Sequence, residues 1–129
     1  MLSTCREVHV LRDPTRGGVA GTLNEIAAQS GVEIEIEEER IPLVEGVRSA
    51  CELLGFDPLH IANEGCMVVV LPAEEAPQAL AALRSLPVGR HATVIGEVRR
   101  GVARVIARTA LGGRRLVDAP AGELLPRIC

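Results

Sequence analysis

The 129-residue chain has no Trp and no Tyr, and Phe56 is its one aromatic side chain. Without aromatic rings to stack on, the bases of a nucleic acid find no platform here, and the core has to be built from Val, Leu, Ile and Ala. Lysine is missing as well: all 14 basic residues are Arg, which removes both a P-loop lysine and a Schiff-base lysine. A formal net charge of -3 works against a polyanion-binding surface. Cys5, Cys51, Cys66 and Cys129 are widely spaced, with no C-x-x-C pair and no Cys/His cluster, so no metal site is expected. No charged segment followed by an apolar run opens the chain, and no apolar run is long enough to span a bilayer. Together these absences predict a reducing, cytoplasmic setting, with no nucleic acid and no membrane as partner.

What is present reads as a mixture of short strands and helices. Val8 and Val10 alternate in "REVHVL" (6–11), a short strand ending at "RDPTRGG". Val19, Leu23, Ile26 and Ala27 then recur at helical spacing until Ser30-Gly31. In "VEIEIEEER" (32–40) apolar Val32, Ile34 and Ile36 alternate with Glu33, Glu35 and Glu37, which predicts a strand with one buried face and one wet acidic face. Pro42 opens a second helix, whose stripe of Leu43, Val44, Val47, Ala50, Cys51 and Leu54 is expected to face the core before Gly55 closes it. Cys51 in that stripe reads as a small buried hydrophobe. The continuous apolar run "MVVVLP" (67–72) predicts a central strand covered on both faces. A helix over 73–86 follows, with Glu74 and Glu75 near its positive end and Arg84 near its negative one. Two more strands, 92–98 and 102–108, are joined by "RRG", with Arg104 and Arg108 on one face. A Gly-Gly hairpin then spans 111–118.

Mixed order without strict βαβ alternation predicts an α+β domain, residues 1–118, with five or six strands in a mixed sheet and flanking helices. From 119 to 129 the tail "APAGELLPRIC" shows neither period, and Pro120, Gly122 and Pro126 forbid a long regular element. Eleven residue steps from Asp118 to Cys129 give a maximal reach of about 36 to 40 Å, the length of a swinging arm.

Three places carry candidate chemistry. Arg12-Asp13-Pro14-Thr15-Arg16-Gly17-Gly18 runs into a helix, where paired glycines, free N–H groups and two arginines suit an anion such as phosphate. The same letters also serve a turn in which Asp13 or Thr15 caps the helix. Asn63 and Glu64, beside Gly65, pair a carboxamide with a carboxylate at the edge of a strand, as a general base with an orienting amide. Partial burial of Glu64 is expected to make it a better base, although a plain turn accounts for these letters too. Cys129 ends the chain beside its own carboxylate, whose charge about 5 Å away disfavours the thiolate by roughly 0.8 kcal/mol in water. A working thiol there is a carrier group, activated in a pocket that receives it.

Taken in order, "RDPTRGG", "LNEIA", "IP", "CELLGFDPL", "ANEG", "IGEV" and the terminal "LPRIC" resemble the C-terminal half of the HypE family of [NiFe]-hydrogenase maturation factors. That family sits within the superfamily of aminoimidazole ribonucleotide synthetase and selenophosphate synthetase. The resemblance covers essentially the whole chain. The Asp-x-Thr-x-Gly-Gly segment is shared with the wider superfamily, and Pro126-Arg127-Ile128-Cys129 selects HypE within it.

The resemblance implies an α/β/α-layered fold and a carrier role for Cys129. In the family the C-terminal cysteine receives a carbamoyl group from the carbamoyltransferase HypF. ATP with Mg is then used to dehydrate the thiocarboxamide to a thiocyanate, and the cyano group passes to iron on a HypC–HypD scaffold. It further implies Glu64 as base with Asn63 beside it, and Arg12, Asp13, Thr15, Arg16, Gly17 and Gly18 as the nucleotide-facing motif. Full-length members are expected to dimerise. Two departures stand out: Cys66 follows "NEG" where the family usually has Lys, and the family's nucleotide-binding N-terminal domain has no counterpart in this chain. A C-terminal fragment or truncated product is therefore expected, inactive alone and without tight nucleotide binding. Two alternatives remain at this level: a docking module for maturation partners, and a fragment of another ATP-using superfamily enzyme.

Overall fold

The computed structural model describes residues 5–119. In it β2 (Val32–Glu37) lies at the heart of a four-stranded sheet ordered β4-β2-β5-β6, with β4 at Gly96–Arg100, β5 at Arg104–Arg108 and β6 at Arg114–Leu116. β2 runs antiparallel to β4 and parallel to β5, and β5 is antiparallel to β6. The sheet is thus mixed, as expected.

The period-2 pattern of β2 sends Ile34 and Ile36 to one face, where Val105 and Ala107 of β5 join them by register. Helix α1 (Gly18–Ser30) lies on that face with Ala20, Leu23, Ile26 and Ala27, and the cluster is completed by Leu59, Val68 and Val117. Burying each Leu or Ile contributes about 1.5–3 kcal/mol, which aliphatic packing supplies here without aromatic rings. Asn24 adds a polar tie, its Nδ2 donating to the Val117 carbonyl at 2.9 Å. The helix ends where the Gly31 N–H, in left-handed conformation, returns to the Ala27 carbonyl.

Three expectations need correcting. The acidic face of β2 is not wet: Glu35 is buried, and arginines from the flanking strands cover it. Arg114 reaches Glu35 at 2.8 Å, Arg99 at 3.4 Å and Arg108 at 3.6 Å, while Arg104 pairs with Glu33 at 2.7 Å. Arg99 also bonds Glu97. That hydrogen bond and then the Glu35 charge hold the Arg99 guanidinium above its ordinary value.

Second, "MVVVLP" does not form a central strand. β3 (Val68–Val70) pairs only with β1 (Val10–Arg12) in a separate two-stranded antiparallel ribbon, and Val69 and Val70 are half-buried. An apolar run states that a segment seeks cover, not which neighbour provides it. Third, the apolar stripe of α2 (Glu45–Leu54) is largely outside the core. Cys51 is the helix's one buried residue, as read from the sequence, while Val44 is 75% and Leu54 62% exposed. The helix meets the rest of the fold mainly at the turn of Pro58–His60. α3 (Ala76–Arg84) follows a tight turn at Ala73–Glu75, and the Glu75 carboxylate accepts the backbone N–H of Arg6 at 3.0 Å.

Candidate functional site

The two loops singled out in the sequence meet because of the β1–β3 register. Arg12 sits opposite Val68, so the chain leaving β1 and the chain entering β3 lie at the same end of the ribbon. Between them the Asn63 N–H donates to the Pro14 carbonyl at 3.1 Å, and Pro14 is fully buried. "RDPTRGG" and "ANEG" are therefore two sides of one structure.

The first side folds as follows. Gly17 is the N-cap of α1 at φ 72°, Gly18 follows at φ 61°, and no side chain caps the helix. The capping role left open for Asp13 and Thr15 is excluded. Thr15 instead offers its carbonyl to the Gly18 N–H at 3.3 Å. A Cβ on Gly18 would stand 2.5 Å from the carbonyl oxygens of both Leu59 and Ile61, so the close approach this glycine permits is made by the chain's own backbone. Arg12 turns back to Glu25 of α1 at 2.6 Å, while Asp13 and Arg16 are exposed on the loop.

On the second side Asn63, Glu64, Gly65 and Cys66 are all exposed, with Gly65 at φ 76° in a turn. The partial burial expected for Glu64 does not occur among the described residues.

A third component was not anticipated. Asp57 starts the Pro58–His60 turn, its Oδ1 accepting the Leu59 N–H at 3.0 Å, and Arg115 holds its Oδ2 at 2.8 Å. Arg115 also bonds Glu38. Desolvation lowers the Arg115 guanidinium, but the bonds to Glu38 and Asp57 outweigh it and leave the group above its ordinary value. His60 Nε2 stands 3.1 Å from the Asp118 carbonyl. Since a carbonyl only accepts, Nε2 carries the proton. Val117, fully buried, donates its N–H to the Val105 carbonyl. The chain is thus fastened through Asp118 to a turn three residues before Asn63. The Asp-Pro pair in "FDPLH" signals the turn, but nothing in the letters links His60 to a residue 58 positions away. Cys129, the third candidate of the sequence, lies outside the described residues.

Among the described residues no group of three or more His, Cys, Asp or Glu is arranged to hold a metal. A hollow beside α2, lined by Ile41, Leu43, Cys51, Phe56 and Leu59 with Arg115 at its edge, includes none of the candidate loop residues. No helix among the described residues is long and apolar enough to cross a membrane.

Known proteins share both sequence and fold with this chain. It is 51% identical over 130 residues to carbamoyl dehydratase HypE of Azotobacter vinelandii and 54% identical over 130 residues to carbamoyl dehydratase HypE of Cupriavidus necator. Each alignment takes in 100% of this chain but only 38% and 37% of the relative, so the chain spans less than two-fifths of the length of the curated relatives it matches. Among solved structures it is similar to the hydrogenase maturation protein HypE in complex with ATP, at a TM-score of 0.86 and 50% identity, covering 95% of this chain and 38% of that one. It is also similar to a chain of a HypE–HypF complex, at a TM-score of 0.84 and 50% identity, covering 88% and 37%. Residues 2–107 match the family described as AIR synthase related protein, C-terminal domain. The chain belongs to that family.

Proposed function

We propose that this chain serves as the C-terminal portion of a carbamoyl dehydratase of hydrogenase maturation, with residues 1–118 as its folded part and 119–129 as a carrier arm. Cys129 takes up a carbamoyl group, and the thiocarboxamide is dehydrated to a thiocyanate that supplies the cyanide ligands of iron. The observation that carries this reading is the meeting of "RDPTRGG" and "ANEG" at one ribbon end, joined by the Asn63–Pro14 bond. The root of the arm is fastened at His60 beside them.

ATP supplies the leaving group, since an amide oxygen departs readily only once phosphorylated. This chain's residues contribute one edge of such a site. Arg16 and the uncapped start of α1 present positive charge and N–H dipoles toward an anion. Glu64, oriented by Asn63, accepts one proton of the thiocarboxamide nitrogen when the site is closed, and the other leaves with the departing phosphate. Asp13, Arg16, Asn63 and Glu64 are exposed among the described residues, so ATP and Mg are held chiefly by an N-terminal domain, and this portion alone neither binds nucleotide tightly nor turns over. In the whole protein, a homodimer working in the cytoplasm, HypF is the donor and a HypC–HypD scaffold the acceptor. The relatives in complex with ATP and with HypF support the nucleotide and the HypF partnership.

The test uses the purified chain with HypF, ATP and carbamoyl phosphate, followed by peptide mass mapping. One carbamoyl mass on Cys129 is expected. Labelling on Cys5, Cys51 or Cys66, or none at all while HypF still binds a Cys129→Ala variant, overturns the carrier role and leaves a docking module.

A further inference from the structure

β4 (Gly96–Arg100) stands at one end of the sheet order β4-β2-β5-β6, so among the described residues its far side has no neighbouring strand. Glu97, Val98, Arg99 and Arg100 are all exposed. The direction of its backbone groups follows from β2. The Glu37 N–H donates to the Ile95 carbonyl at 2.8 Å, and the antiparallel register then sets Glu35 opposite Glu97 and Glu33 opposite Arg99. Bonded pairs recur at every second residue of such a ladder. Glu97 and Arg99 therefore direct N–H and C=O to β2, while Gly96, Val98 and Arg100 turn theirs to the open edge.

An open edge is a template for a further strand, and charge on the edge decides which strands it admits. Here the charge alternates in sign. Glu97 and Arg99 share one face with side chains 60% and 47% exposed, and between them Val98, opposite Ile34, lies half-exposed on the other face. Within one chain Arg99 bonds Glu97 along the strand. A second copy laid antiparallel about an axis through Val98 offers the same match across strands. Val98 then pairs with Val98 of the second copy and Gly96 with its Arg100, which joins the outward groups in up to about six backbone hydrogen bonds. On either side of the axis Glu97 faces Arg99 of the second copy, in the non-bonded positions where side chains approach most closely. Moving the axis by one residue sets Glu97 against Glu97 or Arg99 against Arg99, and like charges directly opposite are destabilising. A half-residue shift opposes outward groups to inward ones and loses the bonds. β6, at the other end of the sheet, carries Arg114 and Arg115 with no acid and offers a copy of itself only like charges.

We propose that two copies of this chain associate edge to edge through β4, about a two-fold axis at Val98, so that their sheets run on into one another. The same patch serves both copies, as a two-fold interface requires. A few residues a side make a small interface, so the affinity is about micromolar or weaker. This contact does not rest on the carbamoyl-carrier reading, since Glu97, Val98 and Arg99 belong to neither candidate loop.

The purified chain is followed by sedimentation velocity from low to high micromolar concentration, and a monomer–dimer equilibrium is expected. Val98→Pro removes an outward N–H and leaves the bonds of Glu97 and Arg99 to β2 in place. Glu97→Arg, at an exposed position, sets arginine against arginine across the axis. Each is expected to weaken association at least about tenfold, with circular dichroism showing the fold retained. If Val98→Pro does not fold, Glu97→Arg carries the test. The register is read by cross-linking in a background with Cys66 and Cys129 replaced by Ser. Val98→Cys should give an inter-chain disulfide on mild oxidation, because opposed bonded positions lie about 5.5 Å apart at Cα. Glu97→Cys should not, since its counterpart is two residues out of step. A chain that stays monomeric at high concentration, association unchanged in Glu97→Arg, or cross-linking through Glu97→Cys as readily as through Val98→Cys overturns the proposal.

Discussion

Replacing Gly18 by Ala probes the contact that brings the start of α1 against the Leu59–Ile61 backbone. Two costs add. Gly18 has φ 61°, where an L-residue is disfavoured by about 1–2 kcal/mol, and the new methyl would stand 2.5 Å from two carbonyl oxygens. Those oxygens belong to backbone that cannot swing aside, and such overpacking costs about 1–3 kcal/mol. Gly31→Ala is the matched control, since it has φ 64° but nothing within 4 Å of its Cβ position. With a urea slope of about 1–3 kcal/mol per molar, the Gly31 variant should lose about 0.5–1 M in unfolding midpoint and the Gly18 variant about twice that or more. The assay is equilibrium urea unfolding followed by far-UV circular dichroism, fitted with a shared slope. Equal losses in the two variants would refute the reasoning, because they would mean that the left-handed backbone alone sets the cost and that α1 does not press on the Leu59–Ile61 segment.

Other expectations can be checked on the same material. Glu35→Ala should cost about 1.5–3 kcal/mol, because it removes charge-assisted bonds to Arg114 and Arg99 from a buried carboxylate. Glu97→Ala on the exposed rim should cost less than about 1 kcal/mol, and both are read from urea midpoints. Asn24→Ala should lower stability by about 1 kcal/mol, seen as a lower thermal midpoint, through loss of the bond to Val117. In a Cys129→Ser background a thiol reagent should label Cys66 at once and reach Cys5 and Cys51 only on unfolding. Arg99 and Arg115 are both raised in the folded state. Their contribution is complete below the unfolded guanidinium value and is lost only as pH rises through the higher folded one. Between about pH 7 and 10 these two groups should therefore add no slope to stability, as pH-dependent urea midpoints will show.

Periodicity was a good guide wherever one face of an element meets one neighbour. The spacing of Leu23, Ile26 and Ala27 located α1 and its buried side, and the alternation of Ile34 and Ile36 located β2. Alternation also grouped Glu33 with Glu35, but it could not say what lies over them. Their cover comes from Arg99, Arg104, Arg108 and Arg114, more than 60 positions away. The shared face of Arg104 and Arg108 in "VARVIAR" was the available hint, and pairing it with the glutamates required the β2–β5 register. The run at 67–72 failed as a central strand for a similar reason, since its partner β1 forms a ribbon apart from the main sheet. At the candidate site both loops were legible as letters, whereas their meeting depends on Arg12 standing opposite Val68. The His60–Asp118 fastening depends on β6 ending beside the Pro58–His60 turn, a relation between segments that no local pattern carries.

The position of β2 has a consequence for how the chain acquires its shape. Both strands that flank it come from residue 96 onward, so during synthesis from the N-terminus β2 and the apolar side of α1 wait through some 60 residues without their sheet. Such distant pairing makes for slow closure, and over that interval Ile34 and Ile36 present a bare strand edge to other chains. A nascent chain arrested before β5 should be a strong substrate for hydrophobic-binding chaperones, and one extended past β6 should not.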